Sequence, residues 1–419
     1  MGAVLGLMVS LVATAADEAS WPQIYIYPVR NLVIAKQLVA RNDPSIKTPY
    51  AKLIEQADAV LLHKPESVMD KVLVAASGNR HDFFSYGPYW WPDPKKPDGL
   101  PYIKRDGYIF PKSRVGTDTW PFFHTCDNAN ALAYAYYFTG RQAYAAKAAE
   151  LIRVWFLNPA TAMNPSANYG QAIPGVINGR GEGVIALRHL TLVTDAIALI
   201  EPSGAWTKAD QIAFRHWLEQ YYDWLTHIKL SIDETSMENN HMSWRDVQLV
   251  QFSIVLGKPD YAHALLQKEF PRLLEMQVKS KGEQDRELVR TNSLGYSLFN
   301  LEALFQLAVL GNYVGVDCWK ITAKDGGGLY AALDYLAPYT DPGLPWPQNE
   351  VRTTDRKRLL PLLAEAYAQN KDLRYKSLLD KFGGDGDEPD HWRLFWPYDA
   401  PKFASDQPSV SQPPAAPHL

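Results

Sequence analysis

The chain has 419 residues, 47% hydrophobic and 21% charged, enough to bury a large core, which excludes a disordered, collagen-like or small disulfide-stapled protein. Lys and Arg number 42 against 46 Asp and Glu, a net charge of −4, and this excludes a general nucleic-acid binder that depends on phosphate neutralisation. At the N-terminus, the apolar run Val4 to Val12 leads into Ala13-Thr14-Ala15-Ala16 and the acidic Asp17 and Glu18. That pattern predicts a secretory signal over residues 1–16, cleaved near Ala15 or Ala16, and a periplasmic or secreted protein. No other run reaches the ~18 apolar residues of a membrane span, so the processed chain is expected to be soluble.

From Pro49 onward the apolar spacing is helical, as in Leu53, Ala57, Leu61 and in Ala145, Ala149, Ile152, Phe156, where steps of three and four share one face. Two junctions repeat: Phe138-Thr139-Gly140-Arg141 runs into Tyr144-Ala145, and Val255-Leu256-Gly257-Lys258-Pro259 into Tyr261-Ala262. Gly supplies the left-handed residue that ends one helix and Pro opens the next, so each predicts an antiparallel hairpin. Tyr367 to Tyr375 reads as a third, with Asn370 in the place of Gly. Many such hairpins predict an all-α fold, an incomplete α/α toroid over residues 17–400 with long cleft-lining loops. Pro401 to Leu419 holds five prolines and reads as a disordered tail. Cys126 and Cys318, the two cysteines, could pair in an oxidising compartment or remain free buried thiols.

The stretch His81 to Pro94 contains Tyr89, Trp90, Trp91, three prolines and a glycine and must be a loop. Lys95 to Arg114 follows with six Lys or Arg and two Asp, or +4. Cations interleaved with aromatic rings suit an acidic sugar chain, although the rings would equally pin the loop to the body. A second polar loop over 164–182 offers Gln171 and Arg180 to a hydroxyl and a carboxylate; the alternative is an Arg180–Glu182 surface pair.

Two segments could carry chemistry. Glu238-Asn239-Asn240-His241 opens a helix, so Asn240 and His241 sit where free N–H groups and the helix dipole favour an anion. In Glu287 to Asn300, Asn292 or Ser293 caps a helix bearing Tyr296, with Asn300 one turn on, and Arg290 lies in the preceding loop. Asn240-His241 with Trp244, then Arg290 49 residues after His241 and Tyr296 beyond it, resembles the Asn, His, Arg, Tyr set of the alginate lyase domain superfamily. The Tyr89-Trp90-Trp91-Pro92 loop, Gly140-Arg141, Trp155 to Pro165 and Tyr296 to Leu301 resemble polysaccharide lyase family 38, related to the family 5 alginate lyases. The resemblance implies an α/α toroid and β-elimination on a 4-linked polyuronate such as glucuronan or polymannuronate. It implies no metal or cofactor.

Elimination requires donors that neutralise the uronate carboxylate and favour the dianionic intermediate, which Asn240, His241 and Arg290 could supply. It also requires a base for the C5 proton and an acid for the C4 oxygen. A cation ~4 Å from Tyr296 contributes about 4 kcal/mol, enough to bring the phenol down from about 10 toward a phenolate base. Where H5 and the C4 oxygen share a face, Tyr296 could serve as both base and acid. For guluronate, His241 is the expected base and Tyr296 the acid. The alternatives are a toroid glycoside hydrolase with a carboxylate pair drawn from Asp82, Glu182, Glu238 and Glu287, and a non-catalytic polysaccharide binder built on Trp90 and Trp91.

Overall fold

The computed structural model describes residues 21–229, 238–384 and 392–397. The predicted signal segment and Pro-rich tail lie outside the described residues. Helices α1 (Val29–Ala40) and α2 (Pro44–Leu61) are followed by a long excursion to α3 (Thr119–Thr139) and α4 (Gln142–Phe156). A second excursion leads to α5 (Leu190–Ile200) and α6 (Lys208–His227), then α7 (Asn240–Val255), α8 (Pro259–Gln277), the short α9 (Asp285–Leu288) and α10 (Ser293–Val314). The chain finishes with α11 (Leu329–Leu336), α12 (Leu359–Asn370), α13 (Leu373–Phe382) and α14 (Trp392–Phe395). This is the all-α toroid expected from the hairpin pattern.

The hairpin turns form as local chemistry dictates. Gly140 between α3 and α4 takes φ +68°, and Gly257 between α7 and α8 takes +73°, a conformation glycine adopts without a Cβ penalty. At the third junction the left-handed residue is Lys371, φ +58°, rather than Asn370, which is still helical. Helices α3 and α10 are buried on most sides (Phe122, Cys126, Leu132, Phe138; Leu294, Leu301, Phe305, Leu310) and form the inner core, as expected where apolar residues encircle a helix. By length and composition Gly181–Ser203 and Ser293–Val314 could cross a membrane, yet both are mostly buried inside the protein. Cys126 and Cys318 are separate buried thiols.

The two ends of the described chain pack together: Asn31 Nδ2 donates to Phe395 O at 2.8 Å, and the Tyr27 and Phe395 rings stack at 4.2 Å. Asp195, fully buried on α5, accepts from the Tyr25 and Ile26 amides, both at 2.9 Å, so the strand-like entry to α1 is anchored from the core. The excursion between α2 and α3 holds β1 (Phe84–Tyr86), β2 (Trp90–Trp91) and β3 (Ile103–Lys104), and that between α4 and α5 holds β4 (Tyr169–Ala172). β1 pairs in parallel with β4, and β2 antiparallel with β3. The two loops singled out in the sequence are thereby joined into one wall. Beneath it, Lys71 and Asp118, both fully buried, pair at 3.1 Å, and Asp118 also accepts from the Phe84 amide.

Candidate active site

A cleft of about 540 Å³ opens where that wall meets the starts of α7 and α10; Tyr89, Trp90, Gln171, Arg180, Asn240, His241, Arg290 and Tyr296 all line it. Asn239 is the N-cap of α7: its Oδ1 accepts from the His241 amide at 3.0 Å and from His241 Nδ1 at 2.9 Å. An amide oxygen has no proton to give, so Nδ1 is the donor in this contact, which fixes the orientation of the ring. Asn240 is buried, and Glu287 on α9 takes its backbone N–H at 2.9 Å and its Nδ2 at 2.8 and 2.9 Å. That contact joins the two segments the sequence separates by nearly fifty positions.

Arg290 lies in the loop between α9 and α10, as the six-residue spacing to Tyr296 required. Its Nη2 donates to the Tyr296 hydroxyl at 2.8 Å, and the guanidinium sits 3.8 Å from the centre of that ring. Nε and Nη2 also hold Asp106, the shortest contact being 2.6 Å, while Thr291 binds the same carboxylate. Gly107, at φ +75°, lets the loop pass Thr291; a Cβ there would collide with the Thr291 hydroxyl. Asp106 therefore locks the basic loop onto Arg290 and Thr291. In the sequence it is one charge of the basic segment, because nothing local links it to a residue 184 positions away.

This geometry corrects the expected state of Tyr296. Burial, reinforced by the neighbouring Tyr89 and opposed by Arg290, holds the phenol well above its usual pKa. The cation's charge is shared with Asp106, whose carboxyl stays below its usual range: burial would raise it, but Arg290 and Thr291 outweigh that. Tyr296 is thus a neutral phenol in the unliganded protein.

The expected binding residues divide. Tyr89 and Trp90 face the cleft. Trp91 does not: its Nε1 donates to Tyr108 O, its ring packs on Phe110, and Arg105 covers it. Gln171 and Arg180 line the cleft but bind one another, Arg180 Nη2 to Gln171 Oε1 at 2.6 Å, and Arg180 also pairs with Glu182 at 3.3 Å. Trp244 donates to Phe299 O and packs against its ring, with Arg188 over both. Asn300 is fully buried among Ser243, Gln277 and Gln284. Helical spacing put it on the face of Tyr296, but α10 is enclosed at that depth, so it supports α7 and α8 rather than touching ligand. Trp90→Ala is expected to raise KM about tenfold through loss of a stacking face, whereas Trp244→Phe leaves KM within about threefold; steady-state kinetics on a uronate polymer distinguishes them.

Arg114, from the basic segment, also lines the cleft, and with it stand three cations that the sequence did not single out: Arg188, Arg352 and Arg358. Arg188 stacks on Phe123 at 5.1 Å and on Phe299 at 5.3 Å, and burial pushes its pKa down to about 10. A half-buried arginine seated on aromatic rings marks a wall suited to anions. Of the carboxylates a hydrolase would need, Asp82 binds Ser77 and Asn164, Glu182 binds Arg180, Glu238 binds Arg286 and Glu287 binds Asn240. Only Glu182 of these four lines the cleft.

Comparison with known proteins agrees with the geometry. The alginate lyase family model matches residues 67–346. The crystal structure of an alginate lyase from Bacteroides ovatus superposes with a TM-score of 0.84 at 34% identity, covering 90% of this chain and 99% of that one. Alginate lyase A1-III, known from Sphingomonas species A1, is similar at the level of fold. Its histidine-to-alanine variant complexed with a tetrasaccharide gives a TM-score of 0.52 at 14% identity, covering 84% of this chain and 96% of that one. No curated protein sequence matches. From the family model, the shared fold and the cleft together, the chain belongs to the alginate lyase family and is a polysaccharide lyase.

Proposed function

We propose that the protein cleaves a 4-linked polyuronate whose H5 and C4 oxygen lie on the same face, polymannuronate or glucuronan, with Tyr296 as base and acid. The observation that carries this is the 2.8 Å contact from Arg290 Nη2 to the Tyr296 hydroxyl, in a cleft that also presents Asn240 and His241. The uronate carboxylate sits at the start of α7, where helix dipole, amide and guanidinium stabilise the charge that builds up as C5 loses its proton. Tyr296 first gives its own proton to solvent; the phenolate then takes the C5 proton, the C4–O bond breaks with its electron pair leaving on oxygen, and the phenol returns that proton to the oxygen. The products are an unsaturated uronate and a shortened chain, with the phenolate regenerated.

One observation favours a second substrate. His241, its ring oriented through Nδ1 by Asn239, lines the cleft from the other segment, and an imidazole there as base suits guluronate, where proton and leaving group lie on opposite faces. Polymannuronate, glucuronan and polyguluronate, each followed by the ultraviolet absorbance of the new double bond, separate the two. Same-face cleavage is expected to be at least tenfold faster on one of the first two. Faster turnover of polyguluronate would overturn the assignment of Tyr296 as base, and reducing ends without absorbance would overturn elimination.

A further inference from the structure

Asn240 cannot do its proposed work in the arrangement seen. Its Nδ2 is directed to both oxygens of Glu287, at 2.8 and 2.9 Å, while its Oδ1 is buried with no hydrogen-bond partner. An amide has one donor end and one acceptor end. With the donor turned to Glu287, the amide offers no N–H to the cleft, and a carboxylate arriving there finds only the Glu287 carboxylate behind it.

We infer that Glu287 is a proton-coupled positioning residue: uronate binding requires it to take up one proton, which allows the Asn240 amide to turn its Nδ2 from Glu287 to the substrate carboxylate. The inference rests on the carboxylate-binding role of Asn240. In the turned state the protonated Glu287 hydroxyl donates to Asn240 Oδ1, and its other oxygen keeps the Asn240 backbone N–H that it accepts at 2.9 Å. Every buried polar atom of the pair is then satisfied, which neither a turned amide against an ionised Glu287 nor the present arrangement achieves. The proton comes from the medium, and no bond but O–H forms.

The surroundings poise the group for this. Burial raises the Glu287 pKa; hydrogen bonds from Asn240 and the charge of Arg290 oppose that, and Asp106 reinforces it. From α7 the group is faced by Asn240, from the loop before α10 by Arg290, and from the basic loop by Asp106. Arg286, on its own helix, is occupied by Glu238. A bound uronate adds a negative charge on the cleft side, which favours the protonated form further.

The test uses Tyr296→Phe, expected to bind without turnover, and a mannuronate trisaccharide titrated calorimetrically in buffers of different ionisation enthalpy. Binding should take up protons, and adding Glu287→Gln should lower the uptake by about one. The Gln amide mimics the protonated acid, donating to Asn240 Oδ1 and accepting the backbone N–H. Above the Glu287 pKa the dissociation constant should weaken about tenfold per pH unit, and this dependence should vanish in the Glu287→Gln background. Absence of proton uptake in Tyr296→Phe alone, a measurement that needs no change at Glu287, would overturn the inference. So would undiminished uptake in the double variant, which would assign the proton to His241. Trisaccharide that fails to bind Tyr296→Phe at any pH would instead remove the carboxylate site itself, and this inference with it.

Discussion

Tyr296→Phe is expected to lower kcat on polymannuronate or glucuronan by ~10³-fold or more while changing polymer affinity by less than about threefold. General acid or base participation contributes ~10² to 10⁴ in rate, and here one hydroxyl performs both transfers. The substitution removes a single oxygen, and the ring keeps its contacts with Arg290 and with Tyr89, whose centroid lies 6.3 Å away. Because burial holds the Tyr296 phenol above its usual pKa, the working phenolate becomes more abundant as pH rises, so wild-type kcat should climb with pH through the neutral range. Stopped or continuous absorbance assays, with binding followed separately by calorimetry, read both effects. An active Tyr296→Phe enzyme would remove the residue from the chemistry.

Arg290→Ala is expected to cost a similar ~10³-fold in kcat/KM, and Arg290→Lys to recover no more than about tenfold of it. The guanidinium performs several tasks at once, donating to the Tyr296 hydroxyl, gripping Asp106 through two nitrogens, and covering the phenol ring at 3.8 Å. A lysine ammonium keeps the charge but lacks the planar fork, so it cannot hold the carboxylate and the phenol in one geometry. Alanine also leaves Asp106, which is mostly buried, without its cation. Steady-state kinetics of the two variants decides; an Arg290→Lys enzyme within threefold of wild type would show that charge alone is required.

What could be seen in the sequence was what short-range chemistry determines. The hairpins at Gly140 and Gly257, the Asn239 cap and the placement of Arg290 in a loop each follow from a few neighbouring residues. Lys371 shows the limit: a left-handed position was required there, but the side chain filling it was one residue later than Asn370. Trp244 enters through the resemblance and Asn300 through its spacing from Tyr296, yet which side of a helix meets solvent depends on what packs against it: Trp244 packs on Phe299, and both sides of α10 are covered. Asp106, Arg188 and the Asn240–Glu287 pair join distant positions, and no periodicity in one segment reports a partner in another.

A crystal structure of Tyr296→Phe with an oligomannuronate bound tests the central claim most directly. The expected result is one uronate carboxylate within hydrogen-bond distance of Asn240 Nδ2 and Arg290, with C5 of that sugar facing the ring of residue 296. Sugar carboxylates held only along Arg114 and Arg352, with the start of α7 untouched, would contradict it.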